Sequence, residues 1–185
     1  MRRTLITFLS FVLSIFIVSC SSTANMASKG ENAEKIKASS YPSWYNSNKL
    51  VESTENNFLV YGAAISGDSA SVIDKAMDRA GSELQSSVSD RLEDIRSEAL
   101  VEQGSESGLD SSHFLIALRK ADKAVPYLLE KQKEEVISVE GQESYRGFVQ
   151  VSVSKEELIE RIDKRLSGYD KAWKAMKTSK AFQNF

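Results

Sequence analysis

The chain has 185 residues, of which 27% are charged and 41% hydrophobic, and its formal net charge is −2. The 24 basic and 26 acidic residues are interspersed, which excludes the basic footprint of a nucleic-acid-binding protein. One cysteine and one histidine exclude an intramolecular disulfide and a Cys/His zinc site. A Ser/His/Asp triad would require His113, which we interpret as a helix-terminus residue beside Asp110 and Ser111.

The first twenty residues have the pattern of a secretory signal peptide. Arg2 and Arg3 form a positive amino-terminal region, and residues 4–18 form an apolar run of signal-peptide length that is short for a membrane-spanning helix. The run ends in Ile17-Val18-Ser19-Cys20, which resembles the bacterial lipobox with Ile17 in place of the usual Leu. We therefore predict that residues 1–19 are a lipoprotein signal peptide and that Cys20 is lipidated.

A lipidated Cys20 predicts a membrane-anchored protein. Two or more acyl chains satisfy the requirement that stable anchoring takes two lipid signals. Ser21 stands where an Asp would signal retention at the inner membrane in the best-known sorting rule, so the outer membrane is favoured. The alternative is that Cys20 is an ordinary thiol after an uncleaved anchor or a plain signal peptide. Apart from the covalent lipid, no cofactor is expected.

Residues 20–40 are predicted to be a flexible tether. They are rich in small and polar side chains and cannot bury enough surface to order themselves. A tether of about twenty residues has an r.m.s. reach of roughly 25 Å. Residues 41–185 are then predicted to form a single domain, which is large enough to bury its own core.

Three aromatic residues, Tyr41, Trp44 and Tyr45, open this domain together with Pro42. They are too apolar for a free linker. Two alternatives remain open: the rings pack onto the domain, or they form a binding platform.

A short apolar run, Phe58 to Ser66, predicts a buried strand. From Ser69 to about Glu102, apolar residues recur at a mean step of about 3.7, which predicts a long helix with one apolar stripe. Asp68 or Ser69 can cap its start. The small residues Ala76, Ala80 and Gly81 would let the helix approach a sheet closely.

Two glycines, Gly104 and Gly108, predict the end of the long helix. A second helix is predicted from the spacing of Phe114, Leu118 and Val125, with a kink or a fresh start at Pro126 and a continuation to about Glu134.

Two β-branched or aromatic runs, 136–140 and 145–153, predict a hairpin with one face toward a core. The segment 154–157 matches a helix capping box. A heptad-like seam follows, which either packs within the domain or forms a partner-helix face; it comprises Ile162, Leu166, Tyr169, Trp173 and Met176. The predicted fold is α+β in the order β-α-α-β-β-α, with a small antiparallel sheet of about three strands packed against long helices.

Catalytic and ligand-binding motifs are weak. Gly62 and Gly67 flank a strand-to-helix turn, but the turn lacks the Gly-Lys-Ser/Thr ending of a phosphate loop, and Asp68 would repel phosphate. Adjacent acids such as Glu93 and Asp94 point in different directions on a helix. No metal site and no catalytic residues are predicted.

The order of these features resembles the Lpp-twenty family of bacterial lipoproteins. The resemblance covers about residues 41–165 and includes Pro42-x-Trp44, a strand with Tyr61-Gly62, a helix spaced by Ala76 and Ala80, and a late hairpin followed by a helix. This sequence departs from the family pattern at Gly67-Asp68 and in the segment 104–136, which looks longer than the minimal domain.

The resemblance implies a small, non-enzymatic α/β domain on the cell envelope, among relatives that include surface antigens and a lipoprotein of the flagellar basal disk. We therefore predict a lipid-anchored envelope lipoprotein that acts through association with envelope proteins or with copies of itself, or as a structural component. The alternative is a periplasmic binding module for a small ligand or peptidoglycan fragment, which would use Tyr41, Trp44 and Tyr45. No nucleic-acid partner is predicted.

Overall fold

The structure is a computed structural model that describes residues 41–185; Cys20, the predicted signal peptide and the predicted tether lie outside the described residues. Four strands and four α-helices follow one another in this part of the chain. They are β1 (Val51–Ser53), β2 (Asn57–Ser66), α1 (Val72–Gln103), α2 (Ser112–Leu118), β3 (Glu130–Ser138), β4 (Tyr145–Ser154), α3 (Lys155–Arg165) and α4 (Asp170–Thr178). Three short 3₁₀ turns connect them: Ser105–Ser107, Ala121–Tyr127 and Phe182–Asn184.

The strands form one antiparallel sheet in the order β1-β2-β4-β3. The central pair, β2 and β4, is in register over ten residues from Asn57 opposite Ser154 to Ser66 opposite Tyr145. The predicted α+β class with a small antiparallel sheet packed against helices is confirmed, and the sheet has one strand more than expected. That strand, β1, contains three residues and pairs with β2 alone.

Helix α1 covers one face of the sheet. Its 32 residues span about 48 Å at 1.5 Å per residue. The predicted apolar stripe is present: Val72 and Ala76 are buried at its start, and Ile73 and Met77 beside them are partly buried. The stripe packs on aliphatic side chains of the central strands, including Val60, Val149 and Val151.

The backbone of α1 approaches the sheet closely at Gly62. A Cβ atom on Gly62 would lie 2.1 Å from the carbonyl oxygen of Ala76 and 2.9 Å from the Cβ of Ala80. A side chain at Gly147 would likewise lie 2.7 Å from the carbonyl oxygen of Val72. Small residues on the helix and glycines on the strands therefore meet, which explains Gly62 without a phosphate loop.

Two turns flank α1. Before the helix, the Asp68 carboxylate accepts hydrogen bonds from the backbone N–H groups of Ala70 and Ser71 at 3.0 and 3.1 Å, and these bonds lower its pKa from the ordinary value. After the helix, Gly104 adopts a positive φ of 75°, which a glycine tolerates without strain, and its N–H bonds to the Leu100 carbonyl.

The prediction that a second helix continues to Glu134 is wrong. Helix α2 already ends at Leu118, a 3₁₀ turn contains Pro126, and Glu130 begins strand β3. Glu and Lys are good helix formers, but residues 130–138 pair with β4 along its length, with a register shift between Lys131 and Lys133. Pairing with β4 overrides local helix propensity here. Almost all of β3 is exposed, and β3 is an edge strand.

The predicted final helix is divided into α3 and α4 by a turn at residues 166–169. Ser154 caps α3 as expected, since its Oγ accepts a hydrogen bond of 3.3 Å from the Glu157 N–H. Ile162, Leu166, Trp173 and Met176 of the heptad-like seam are buried, and Tyr169 is partly buried. The seam therefore packs within the domain, and the alternative of a partner-helix face is wrong.

Candidate functional site

The lipidation site expected at Cys20 lies outside the described residues, so its modification stays a prediction. Two other groups of side chains in residues 41–185 bear on function. One is the aromatic segment at residues 41–45. The other is a cluster of basic residues at the opposite end of the sheet.

The rings of the aromatic segment pack on the sheet face that α1 leaves uncovered. Tyr41 stacks on Tyr45 with ring centroids 5.4 Å apart. Both rings meet Phe148 of β4 in edge-to-face contacts, at 5.6 Å for Tyr41 and 5.1 Å for Tyr45. Tyr45 also meets the ring of Tyr61 at 5.8 Å. Such pairs add about 0.5–1.5 kcal/mol each beyond the area that they bury.

Polar groups fix the edges of this aromatic layer. The Arg146 guanidinium lies over the Tyr41 ring, 4.9 Å from its centroid. The Trp44 Nε1–H donates to a Glu135 carboxylate oxygen at 3.3 Å. Beneath the layer, the Gln150 amide donates to the buried Tyr61 hydroxyl at 2.9 Å. These contacts hold the segment against β4 and β3.

The environment of Tyr45 is that of a packed side chain. Burial, followed by the neighbouring Tyr41, raises the pKa of the Tyr45 hydroxyl above its ordinary value of 10. The two surface cavities beside Phe185, which are described next, are not lined by Tyr41, Trp44 or Tyr45. The geometry therefore favours packing of Tyr41, Trp44 and Tyr45 over a binding platform.

The basic cluster comprises Lys49, Arg91 and Lys155, which lie near Phe58. Lys49 and Arg91 line a cavity of about 300 Å³ together with Phe58. The Lys155 Nζ lies 5.1 Å from the centroid of the Phe58 ring and donates to the backbone oxygen of Phe185 at 2.7 Å. Burial and the nearby Arg91 charge lower the pKa of Lys155 from its ordinary value.

A second cavity, of about 560 Å³, adjoins Lys155. Its apolar wall is formed by Ile159, Phe182 and Phe185, and Phe185 also lines the smaller cavity. Two acids, Glu55 and Glu156, line the larger cavity, whereas none of the described residues around the smaller one is acidic. Among the described residues, the charged side chains that line the larger cavity are therefore both acidic and basic, and those that line the smaller one are all basic.

Reactive side chains do not converge elsewhere in the described residues. His113 is exposed on α2. Within residues 41–185, no group of three His, Cys, Asp or Glu side chains is placed to hold a metal ion. Buried Asp122 accepts a hydrogen bond of 2.9 Å from Gln85, and its other carboxylate oxygen has no hydrogen-bond partner among the described atoms.

Sequence reasoning missed the basic cluster because its members are far apart along the chain. Lys49 precedes β1, Arg91 lies within α1, and Lys155 begins α3. The only local signal was the capping segment at residues 154–157, which indicates a helix start and says nothing about a neighbouring charge.

The architecture defined by residues 41–185 is an α+β domain with a four-stranded antiparallel sheet. No helix in this described part is long and apolar enough to span a bilayer. No family model matches the chain. Neither a search of curated proteins nor a search of solved structures finds a significant match. The resemblance to the Lpp-twenty family therefore stays a prediction.

Proposed function

We propose that the protein is a lipid-anchored lipoprotein of the bacterial cell envelope, on the outer membrane, that acts by associating with other proteins and not by catalysis. The observation that carries the proposal is the apolar run that ends at Cys20 after Arg2 and Arg3. The resemblance of the later segments to the Lpp-twenty family supports the same class.

Lipid attachment at Cys20 would give the domain a position. Each buried CH₂ group of an acyl chain contributes about 0.8 kcal/mol to membrane binding, so two or three chains hold a protein stably. A tether at residues 20–40 would then keep residues 41–185 within roughly 25 Å of the bilayer.

Intact mass of the protein extracted from bacterial membranes tests the anchor. The expected mass is that of a chain that starts at Cys20 and carries acyl groups. A Cys20→Ala variant should lose the acyl mass and leave the membrane fraction, whereas Ser21→Ala should keep both. Retention of Met1 in the wild-type protein would contradict the proposal.

Two exposed apolar side chains support association. Ile116 is 53% exposed and Tyr127 is 74% exposed, and both belong to the segment between α1 and β3. Single exposed apolar residues are common in monomeric proteins, so this support rests on the two residues lying in the same connecting segment.

Light scattering coupled to size exclusion, together with crosslinking in intact cells, tests association. We expect a homo-oligomer or a crosslinked envelope protein, and expect the Ile116→Ser/Tyr127→Ser variant to weaken it. Val101→Ser is the matched control, because Val101 is 88% exposed at the end of α1. A strict monomer without a crosslinked envelope protein would contradict association and leave the anchoring result unaffected.

A binding module that uses Tyr41, Trp44 and Tyr45 is not supported by a specific observation. Tyr41 and Tyr45 pack against one another and against Phe148.

A further inference from the structure

The smaller cavity beside the basic cluster combines two kinds of lining. Lys49 and Arg91 supply two positive charges, and Ser53 and Ser87 supply two hydroxyl groups. The remaining lining is apolar. It consists of Val51, Phe58, Val88 and Phe185.

The charged side chains that line this cavity are both basic. None of the described lining residues has an acidic side chain. Lys155, whose Nζ lies 5.1 Å from the centroid of the Phe58 ring, donates to the backbone oxygen of Phe185, which also lines the cavity. An anion in the cavity would be attracted by the charges of both Lys49 and Arg91. Arg91 can serve a ligand together with the interaction that it already makes within the protein, since a guanidinium carries five N–H donors.

The apolar floor restricts the kind of anion. Phe58 and Val88 belong to the core and are already largely buried, so the half-buried Val51 offers most of the free apolar surface. An anion with a short apolar chain would cover this surface, whereas a bare inorganic anion would not. The volume of about 300 Å³ is at the lower end of ligand pockets, which run from roughly 300 to 1,000 Å³. A compound of six or so carbon atoms suits such a space.

From these observations we propose that the cavity between β1, β2 and α1 is a binding site for a small amphiphilic anion. Its carboxylate or phosphate group is bound by Lys49, Arg91 and the two serine hydroxyls. Its short apolar chain lies against Val51, Phe58 and Val88. Carboxylate and phosphate share the same recognition here, because both accept charge-assisted hydrogen bonds from Arg and Lys.

The site and the aromatic segment lie on opposite faces of the sheet. Phe58 belongs to the core that α1 covers, whereas Tyr45 meets Tyr61, which is three residues from Phe58 along β2 and therefore on the other face. Tyr41 contacts Arg146, which is the residue opposite Ile65. Entry to the cavity therefore does not require the aromatic segment to move, and the proposal is independent of how the chain is anchored.

Methyl NMR of the full-length chain in a neutral detergent tests the proposal, with Val51 and Val88 as reporters and Val149 as a spectator. Hexanoate and hexyl phosphate are titrated separately, and they distinguish a carboxylate from a phosphate ligand. Hexanol tests the need for charge, and inorganic phosphate tests the need for the apolar chain. We expect saturable shifts at Val51 and Val88 with hexanoate, hexyl phosphate or both, and at least roughly tenfold weaker binding of hexanol and of inorganic phosphate.

Two variants test the assigned residues. Lys49→Gln/Arg91→Gln should weaken binding of the preferred anion by roughly tenfold or more, since two charge-assisted bonds are lost. Lys120→Gln/Lys174→Gln removes the same charge at exposed positions elsewhere and should bind as the wild type does.

Ser87→Leu fills the cavity without changing the charge, and it suits a helix because Leu has a higher helix propensity than Ser. This variant keeps the test decisive if the double variant does not fold. Absence of saturable shifts, equal binding of hexanol or inorganic phosphate, an equal loss in the control variant, or unchanged binding by Ser87→Leu would each overturn the proposal.

Discussion

The two faces of the β-sheet are covered by very different parts of the chain. On one face lies α1, a regular helix whose small residues bring its backbone against Gly62 and Gly147. On the other face lies an irregular segment of five residues, which contributes Tyr41, Trp44 and Tyr45. Packing on the first face depends on glycines, which have no side chain, and packing on the second face depends on large aromatic rings.

This difference has a physical reason. A helix presents a continuous surface, so it can pack along whole strands, and close approach increases dispersion contacts. A short irregular segment has no such surface, and its few residues must each bury much area. Aromatic side chains do so, since each buries about 150–250 Å². We therefore expect the two faces to respond to opposite kinds of substitution.

Adding a single methyl group at the helix-covered face should have the largest effect. In Gly62→Ala the new Cβ would lie 2.1 Å from the Ala76 carbonyl oxygen, so α1 must move away from the sheet. We expect a loss of about 3 kcal/mol in the free energy of unfolding, measured by urea denaturation. Gly67→Ala is the control, because its Cβ would meet only the Glu143 carbonyl at 3.8 Å. Equal losses in the two variants would show that close approach is not the cause.

Removing a ring from the aromatic segment should have the next largest effect. Tyr45→Ala loses contacts with Tyr41, Tyr61 and Phe148, and we expect a loss of about 2 kcal/mol. Trp44→Ala should cost about 1 kcal/mol, because Trp44 bonds to an exposed carboxylate at the edge of the layer. If Trp44→Ala were the more harmful of the two, the aromatic face would depend on its edge and not on its centre.

A substitution at the end of β4, where α3 begins, calibrates both results. Ser154→Ala removes the hydrogen bond from the Glu157 N–H at the start of α3. We expect a loss of about 1 kcal/mol, which is typical of a helix cap, measured in the same denaturation series. Ser154→Asp, which can also accept this bond, should restore most of the loss, and failure to do so would argue against capping.

The smallest expected effect is on the pH dependence of the free energy of unfolding, and it arises at the aromatic face. Because the pKa of Tyr45 is raised in the folded protein, the unfolded chain releases this proton more readily. The stability that neutral Tyr45 contributes is therefore present below the ordinary pKa of 10 and is lost as pH rises through the folded value. Tyr45→Phe should have a smaller alkaline loss of stability than the wild type between about pH 9 and about pH 11. Parallel curves for the two proteins would rule out this contribution.

Elements that are long and regular could be predicted from the sequence. Helix α1 repeats its apolar spacing over many residues, strand β2 is a continuous apolar run, and Gly104 marks the helix end. Strand β3 could not be predicted in full, because residues 130–135 favour a helix locally and become a strand through pairing with β4. Strand β1 has only three residues, too few for a period to show.

The candidate sites divide in the same way. The aromatic segment could be predicted because Tyr41, Trp44 and Tyr45 are neighbours in sequence, but only the tertiary structure distinguishes packing from binding. The basic cluster was invisible, since Lys49, Arg91 and Lys155 belong to different elements that the tertiary fold brings together.

The exposed edge of strand β3 affects how neighbouring molecules can associate. An edge strand of nine residues with an open hydrogen-bonding side is a template on which neighbouring molecules can add strands. Its first six residues, Glu130 to Glu135, are all charged except Gln132, and the register shift at Lys131/Lys133 bends it. Any molecule that docks edge to edge must bring charges of both signs into the right register and accommodate this bend. Where copies of the domain are crowded, these charges and the bend disfavour the growth of their sheets into a fibril.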